Sequence, residues 1–161
     1  MTNTRAAYKE GRRLVLIDIE NLAATPSPTT REVQMVIGAL RDAIPGFDQA
    51  QRIVACSHHA AATVAFAFPS ARQLWRSGQD GADLALLDVL GGEHVEERFS
   101  QVTICSGDGI FAASTARLAV SGVDVSVVSL QGHLSTRLEL AARTVVLLPL
   151  IEELALTGRA S

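Results

Sequence analysis

Apolar positions along this chain gather into short continuous runs, separated by amphipathic stretches and by polar clusters rich in Gly, Pro and Asp. The runs Leu14-Val15-Leu16-Ile17, Ile53-Val54-Ala55-Cys56 and Val102-Thr103-Ile104-Cys105 predict strands buried on both faces, the pattern of a parallel sheet. Residues 123–128 and 145–148 predict two more strands, and Gln73-Leu74-Trp75 a short one. Between these runs the period changes. Val33, Val36, Ile37 and Leu40 recur at helical spacing through about Ala43, after a Pro26-Ser27-Pro28-Thr29-Thr30 loop that supplies a cap and before a Pro45-Gly46 stop. Residues 58–66 predict a short helix or turn. Asp80 caps a helix that opens at Gly81-Ala82, runs to about Leu90 and is stopped by Gly91-Gly92. Residues 110–120, closed by Gly122, and residues 135–142, opened by Ser135, predict the last helices.

Strands alternating with helices imply right-handed crossovers, hence a parallel sheet with helices on both faces. The expected fold is α/β: a three-layer α/β/α sandwich with a mainly parallel central sheet, Rossmann-like. One domain is expected over residues 13–149, between an N-terminal extension (1–12) and a C-terminal tail (150–161). A chain of 161 residues suffices for one core, and with 48% hydrophobic but only 4% aromatic residues that core is built from Val, Leu, Ile and Ala. No apolar run nears the roughly 18–20 residues of a membrane span. Residues 1–10 lack the apolar stretch of a secretory signal, so a cytoplasmic location without a membrane partner is expected. Cys56 and Cys105 each end a predicted strand and form no Cys-x-x-Cys pair, which predicts two small buried hydrophobes.

The candidate chemistry sits where strands end. The run at residues 14–17 leads into Asp18-Ile19-Glu20-Asn21, and that at 102–105 into Ser106-Gly107-Asp108-Gly109. Ligands of open α/β sheets bind outside the carboxyl ends of strands, so two carboxylates placed there make a candidate divalent-metal site. Hard divalent ions prefer carboxylate oxygen, which favours direct coordination by Asp18 and Asp108 over a simple turn or cap. Gly107 and Gly109 would let the backbone approach a phosphate. The formal net charge of −3 at first argues against a nucleic-acid partner, but Asp18, Glu20, Asp83, Asp88 and Asp108 all fall in the candidate site, and the rest of the chain is net positive. Thirteen arginines stand against one lysine, Lys9, which disfavours a P-loop, a Schiff base or a phospho-acceptor receiver domain. Arg12, Arg13, Arg72, Arg76 and Arg117 are candidates for gripping phosphate, although any one of them is more simply read as a solvated surface charge. His58 and His59 read as polar surface, and the single tryptophan, Trp75, as core or sheet-edge packing rather than a base-stacking platform.

In order and context these motifs resemble the NYN domain, a branch of the PIN-like ribonuclease superfamily. The matching residues are Asp18-Ile19-Glu20-Asn21 for Asp-x-x-Asn, Gly81-Ala82-Asp83 with Asp88 for the middle helix, and Ser106-Gly107-Asp108-Gly109-Ile110-Phe111 for Ser-Gly-Asp-x-Asp-Phe. Residues 127–129 with Leu134, Ser135 and Leu138 resemble the last strand and the helix start that follows it. The likeness covers roughly residues 13–149. Two positions depart from the pattern: Asp80 stands where the family has Lys, and Ile110 where it has a second Asp.

The resemblance implies a PIN-like fold and a metal-dependent endoribonuclease acting on single-stranded RNA. Asp18, Asp83 and Asp108 would hold Mg²⁺ or Mn²⁺, with Asn21 completing the catalytic set. Glu20, Asp88 and Ser106 would stand behind them, and Gly107, Gly109, Arg12 and Arg76 would contact phosphate. Asp83 and Asp88 lie about 140° apart around their helix, so both can reach a broad cleft but not as an adjacent pair. A homodimer through the apolar tail at residues 145–156 is a further implied assembly. The alternative, motivated by Ile110, is a weak or inactive domain that binds RNA or a protein. A haloacid-dehalogenase-like enzyme fits less well, because it needs Asp-x-Asp where this chain has Asp18-Ile19-Glu20.

Overall fold

The computed structural model describes residues 4–157. Its elements run α1 (Thr4–Lys9), β1 (Arg13–Asp18), α2 (Ile19–Ala23), α3 (Thr30–Ala43), β2 (Gln51–Cys56), α4 (Ala61–Ala67), β3 (Arg72–Trp75), α5 (Gly81–Gly92), α6 (Val95–Arg98), β4 (Gln101–Cys105), α7 (Ala112–Val120), β5 (Asp124–Leu130), α8 (Thr136–Ala141), β6 (Thr144–Leu148) and α9 (Ile151–Thr157). The six strands form one sheet in the order β3-β2-β1-β4-β5-β6, and every neighbouring pair is parallel. This is an α/β/α sandwich of Rossmann-like order.

The alternation of side chains along each strand builds two cores. Val15 and Ile17 of β1 join Val54 and Cys56 of β2 in a layer closed by Leu22 of α2, Val33, Val36, Ile37 and Leu40 of α3, and Val64 of α4. Leu14 and Leu16 face the other way, with Ile53, Ala55, Val102, Ile104, Val125 and Val127, against Leu86 and Leu90 of α5, Leu118 of α7 and Leu138 of α8. Strands buried on both faces explain the continuous apolar runs. Each of these fully buried Leu or Ile side chains contributes about 1.5–3 kcal/mol by leaving water. Cys56 and Cys105 are both buried and unpaired, as their strand-end positions predict. Burial pushes the Cys56 thiol up to about 11 and holds the Cys105 thiol still higher.

The α3 start follows its cap signal. The Thr29 hydroxyl accepts from the Glu32 N–H at 3.2 Å while the Glu32 carboxylate accepts from the Thr29 N–H at 2.7 Å. Elsewhere the elements differ from expectation at their edges. α5 continues through Gly91 and Gly92, β5 runs on to Leu130, and residues 109–111 form a 3₁₀ turn before α7. Four short helices, α1, α2, α6 and α9, had no periodic signal because four to seven residues hold too few repeats to show one. α1 is tied to α6 by the Lys9 ammonium, which donates to the Glu96 carbonyl at 3.1 Å. After Pro149, α9 starts with Ile151 packed on the core, leaving Leu156 and, on β6, Leu147 exposed. No helix among the described residues is long and apolar enough to cross a membrane.

Candidate metal centre

β1 and β4 are neighbours at the centre of the sheet, and their onward connections lead to opposite sides, to β2 and to β5. Their carboxyl ends therefore flank the topological switch point, where the diverging loops leave a crevice. Asp18 is the last residue of β1 and only 4% exposed. Its backbone is extended and its Oδ1 accepts from the Asn21 N–H at 3.2 Å, so the same residue caps α2. Its Oδ2 accepts from the Ser106 hydroxyl at 3.3 Å. The Asn21 side-chain oxygen accepts from the Gly107 N–H at 3.1 Å, which bolts the turn after β1 to the turn after β4. Asp108 completes the second turn: its N–H donates to Ser106 Oγ at 3.2 Å and its Oδ1 accepts from the Ile110 N–H at 2.9 Å.

The third wall is the first turn of α5. Gly81 sits where a Cβ would lie 2.2 Å from the Arg76 carbonyl oxygen, so only glycine lets the helix start this close to the end of β3. That approach brings Asp83, 7% exposed, down beside Asp18. The two carboxyls are hydrogen-bond neighbours, and burial raises both, Asp83 to about 9. Desolvation is the largest cause for each; for Asp83 the hydrogen bond and charge of Asp18 follow, then the charges of Asp108 and Asp80. Asp83 Oδ1 is buried and has no hydrogen-bond partner.

Asp80 corrects the sequence reading. It occupies the N-cap position with left-handed φ of 56°, yet its side chain makes no cap hydrogen bond. One carboxylate oxygen each from Asp80, Asp83 and Asp108 instead lie within 4.8 Å of one another. The signal was present as a three-residue spacing: positions 80 and 83 share one side of a helical turn. A lone cap and half of a ligand pair look alike in sequence. The donor set fits a hard divalent cation, for it is all carboxylate, gathers like charges at short range and contains a buried oxygen with no partner. Asp18 faces Asp83 from the β1 side of the same cluster.

The other expected residues scatter. Glu20 lines the cleft and its carboxylate accepts from the Ser57 N–H at 2.9 Å. Arg76 also lines the cleft, a space of about 230 Å³ shared with Asp18, Asn21, Asp80 and Asp83, while its guanidinium pairs at 3.0 Å with Asp88. Asp88 is therefore turned outward, its side chain 77% exposed, and does not join the cluster. Gly107 is committed to packing: its N–H is taken by Asn21, and a Cβ there would lie 2.2 Å from the His133 carbonyl oxygen. Gly109 packs likewise against the Ser135 hydroxyl. Arg12 precedes β1 and so stands at the amino end of the sheet, away from the crevice, with its guanidinium over the Tyr8 and Phe99 rings. A residue before a parallel strand cannot reach a site beyond that strand's carboxyl end. Arg13, Arg72 and Arg117 are bound to Pro45, Glu93 and Leu90 respectively. His58 is held by the Ser77 hydroxyl, and Trp75 lies half-exposed on the edge strand β3.

Comparison with protein-family models and with curated proteins finds no match. Among solved structures, a protein of unknown function from Vibrio parahaemolyticus is similar, with a TM-score of 0.56 at 17% identity over 88% of this chain and 94% of that one. At that identity the likeness speaks for the fold alone.

Proposed function

We propose that this chain is a divalent-metal-dependent nuclease of the NYN, PIN-like kind, cleaving phosphodiester bonds of single-stranded RNA. The observation that carries the reading is the buried, unpartnered oxygen of Asp83, set among Asp18, Asp80 and Asp108 at the switch point of a parallel sheet. Among the described residues Arg76 lines the cleft but pairs with Asp88 and not with the cluster, which a bound cation would neutralise. Asp80, Asp83 and Asp108 would hold Mg²⁺ or Mn²⁺, Asp80 taking the place that Asp18 holds in the set expected from sequence. When bound, such an ion supplies positive charge at the phosphate and a more acidic water as nucleophile.

The chain's own residues do the positioning. Ser106 and the Asn21 N–H fix both oxygens of Asp18, so its carboxylate faces Asp83 in one orientation. Asn21 holds the β1 and β4 turns in register through Gly107. Of the two facing carboxyls Asp83, raised to about 9 by burial and by its hydrogen bond with Asp18, is the one that keeps a proton in the metal-free cleft. Arg76 lines the cleft and would be free to meet a substrate phosphate, since its pairing with the exposed Asp88 is weak and easily exchanged.

Ile110 favours a second reading, an RNA- or protein-binding domain without cleavage. Its side chain packs against the α5 and α7 core, and its N–H, not a carboxylate, serves the site. Metal-stripped protein incubated with labelled single-stranded RNA, with and without Mn²⁺, separates the two. Metal-dependent cleavage abolished in Asp83→Asn and Asp108→Asn supports the nuclease. Folded wild type that neither cleaves nor gains thermal stability at saturating Mn²⁺ overturns it and leaves the binding domain.

A further inference from the structure

We propose that the amino end of the sheet carries a second binding site, for a phosphate-type oxyanion, built on Arg12 and Arg13. It lies at the opposite end of β1 from the carboxylates and does not rest on the nuclease reading. A cavity of about 490 Å³ opens there, lined by Arg12, Arg13, Gln49, Gln51, Phe99 and the backbone of Gly11 and Gly46. That volume suits a small ligand such as a nucleotide. Both charged residues on its walls are positive and its remaining side-chain donors are amides, in a chain whose net charge is −3.

Among the described residues these two arginines share with Arg31 and Arg137 the lack of an ion pair that seven others have, and they alone of the four line the cavity. Arg41, Arg52, Arg72, Arg76, Arg98, Arg117 and Arg143 each pair with a carboxylate. Among the described residues Arg12 and Arg13 have no such partner, although they are adjacent in sequence and open on one cavity. They are nevertheless held in place. The Arg12 guanidinium lies 4.8 Å from the Tyr8 ring centre and 5.1 Å from that of Phe99, contacts that orient its plane and leave the N–H edge for a ligand. Arg13 donates to the Pro45 carbonyl across Gly46, where any Cβ would collide with the guanidinium. A guanidinium has five N–H donors in a planar fork, so one hydrogen bond leaves most of them unspent. Two oriented forks with glutamine amides beside them match the oxygens of a phosphate better than a single carboxylate or a halide.

The ligand chemistry is a phosphate group, free or carried by a nucleotide or an RNA end. Intact protein is titrated calorimetrically with inorganic phosphate, with adenosine monophosphate, and with one oligoribonucleotide bearing either a 5′-phosphate or a 5′-hydroxyl, ionic strength being held constant with chloride. Saturable binding of at least one phosphate-bearing probe is expected, weakened roughly tenfold or more by Arg12→Gln and by Arg13→Gln. Asp83→Asn is expected to leave it unchanged, which separates this site from the metal centre. The probe preferred identifies the source: free phosphate, mononucleotide or RNA terminus. Circular dichroism establishes that each arginine variant is folded. If no probe binds saturably, or if both folded variants bind as wild type does, the proposal fails.

Discussion

The two ends of β1 lie roughly 17 Å apart, at about 3.3 Å per residue, and they carry opposite electrostatic problems. At the carboxyl end Asp18, Asp80, Asp83 and Asp108 crowd together, and the protein answers by raising Asp18 and Asp83 so that a proton is retained. At the amino end Arg12 and Arg13 share a cavity, and the answer is aromatic stacking and a backbone carbonyl rather than a carboxylate. Over the rest of the surface seven arginines take acidic partners. Like charges left together cost stability, more so when desolvated. Both ends of the strand thus keep like charges together, and that arrangement is what the two proposed sites rest on. They differ in depth: Asp18 and Asp83 are buried, whereas Arg12 and Arg13 are half-buried.

The strongest way to break the acidic half of the comparison is Asp83→Asn, which keeps the shape and removes the charge. Metal-dependent RNA cleavage is expected to fall about 100-fold or more, measured as initial rates with saturating Mn²⁺. The same variant tests the titration. In metal-free protein Asp83 is raised from its ordinary value near 3.8 to about 9, so the folded state binds more protons than the unfolded one across that window. Stability from this group is full below about pH 4 and is lost as pH rises toward 9. Thermal unfolding of the stripped wild type should therefore show Tm falling between pH 5 and 9, with a much flatter profile in Asp83→Asn. Added Mn²⁺ should oppose the fall in wild type alone. An equal slope in both proteins would show that the burial of Asp83 does not shape the site's charge.

Glycine substitutions sharpen the comparison between packing and ligand contact. Gly107→Ala drives a Cβ into the His133 carbonyl and the Ser129 hydroxyl, at 2.2 and 2.5 Å, and should cost about 1–3 kcal/mol in urea unfolding. Gly91→Ala, in α5 with open space around it, should instead stabilise by about 0.5–1 kcal/mol. If Gly107→Ala were neutral for stability yet lowered RNA affinity, the glycine would serve the ligand, as its sequence context alone suggests, rather than the turn.

How much of this was legible before the fold was known depends on the range of each interaction. The strands, the parallel sheet and the placing of Asp18, Ser106 and Asp108 at its carboxyl edge follow from apolar runs and the residues that end them, all local information. α2 was not legible, because its five residues directly after β1 hold no repeat. Asp80 was visible but read as a cap; only the turn of its side chain toward Asp108, 28 positions later, shows otherwise. Gly107 looked like room for phosphate because its neighbour His133, 26 residues on, cannot be placed from sequence. Arg12 is a different case. Its position before β1 already put it at the wrong end, and strand direction alone decides that.

Arg76 gives the smallest expected effect on stability and the finest test of the cleft. Its ion pair with Asp88 joins side chains 46% and 77% exposed, and such pairs are worth about 0–1 kcal/mol. Arg76→Ala should thus change urea stability by less than about 0.5 kcal/mol, since the main-chain carbonyl that Gly81 packs against is untouched. If the acidic end takes RNA, the cluster alone repels the phosphate backbone, and among the described residues Arg76 is the cation lining the cleft that offsets it. Steady-state kinetics should then show KM rising several-fold with kcat nearly kept, and the KM effect shrinking as salt screens the phosphate. Asp88→Asn, which frees the guanidinium, should move KM the other way. Should both variants leave KM unchanged, the RNA path does not cross the β3 side of the cleft, and the acidic end would have to draw its substrate in by metal charge alone.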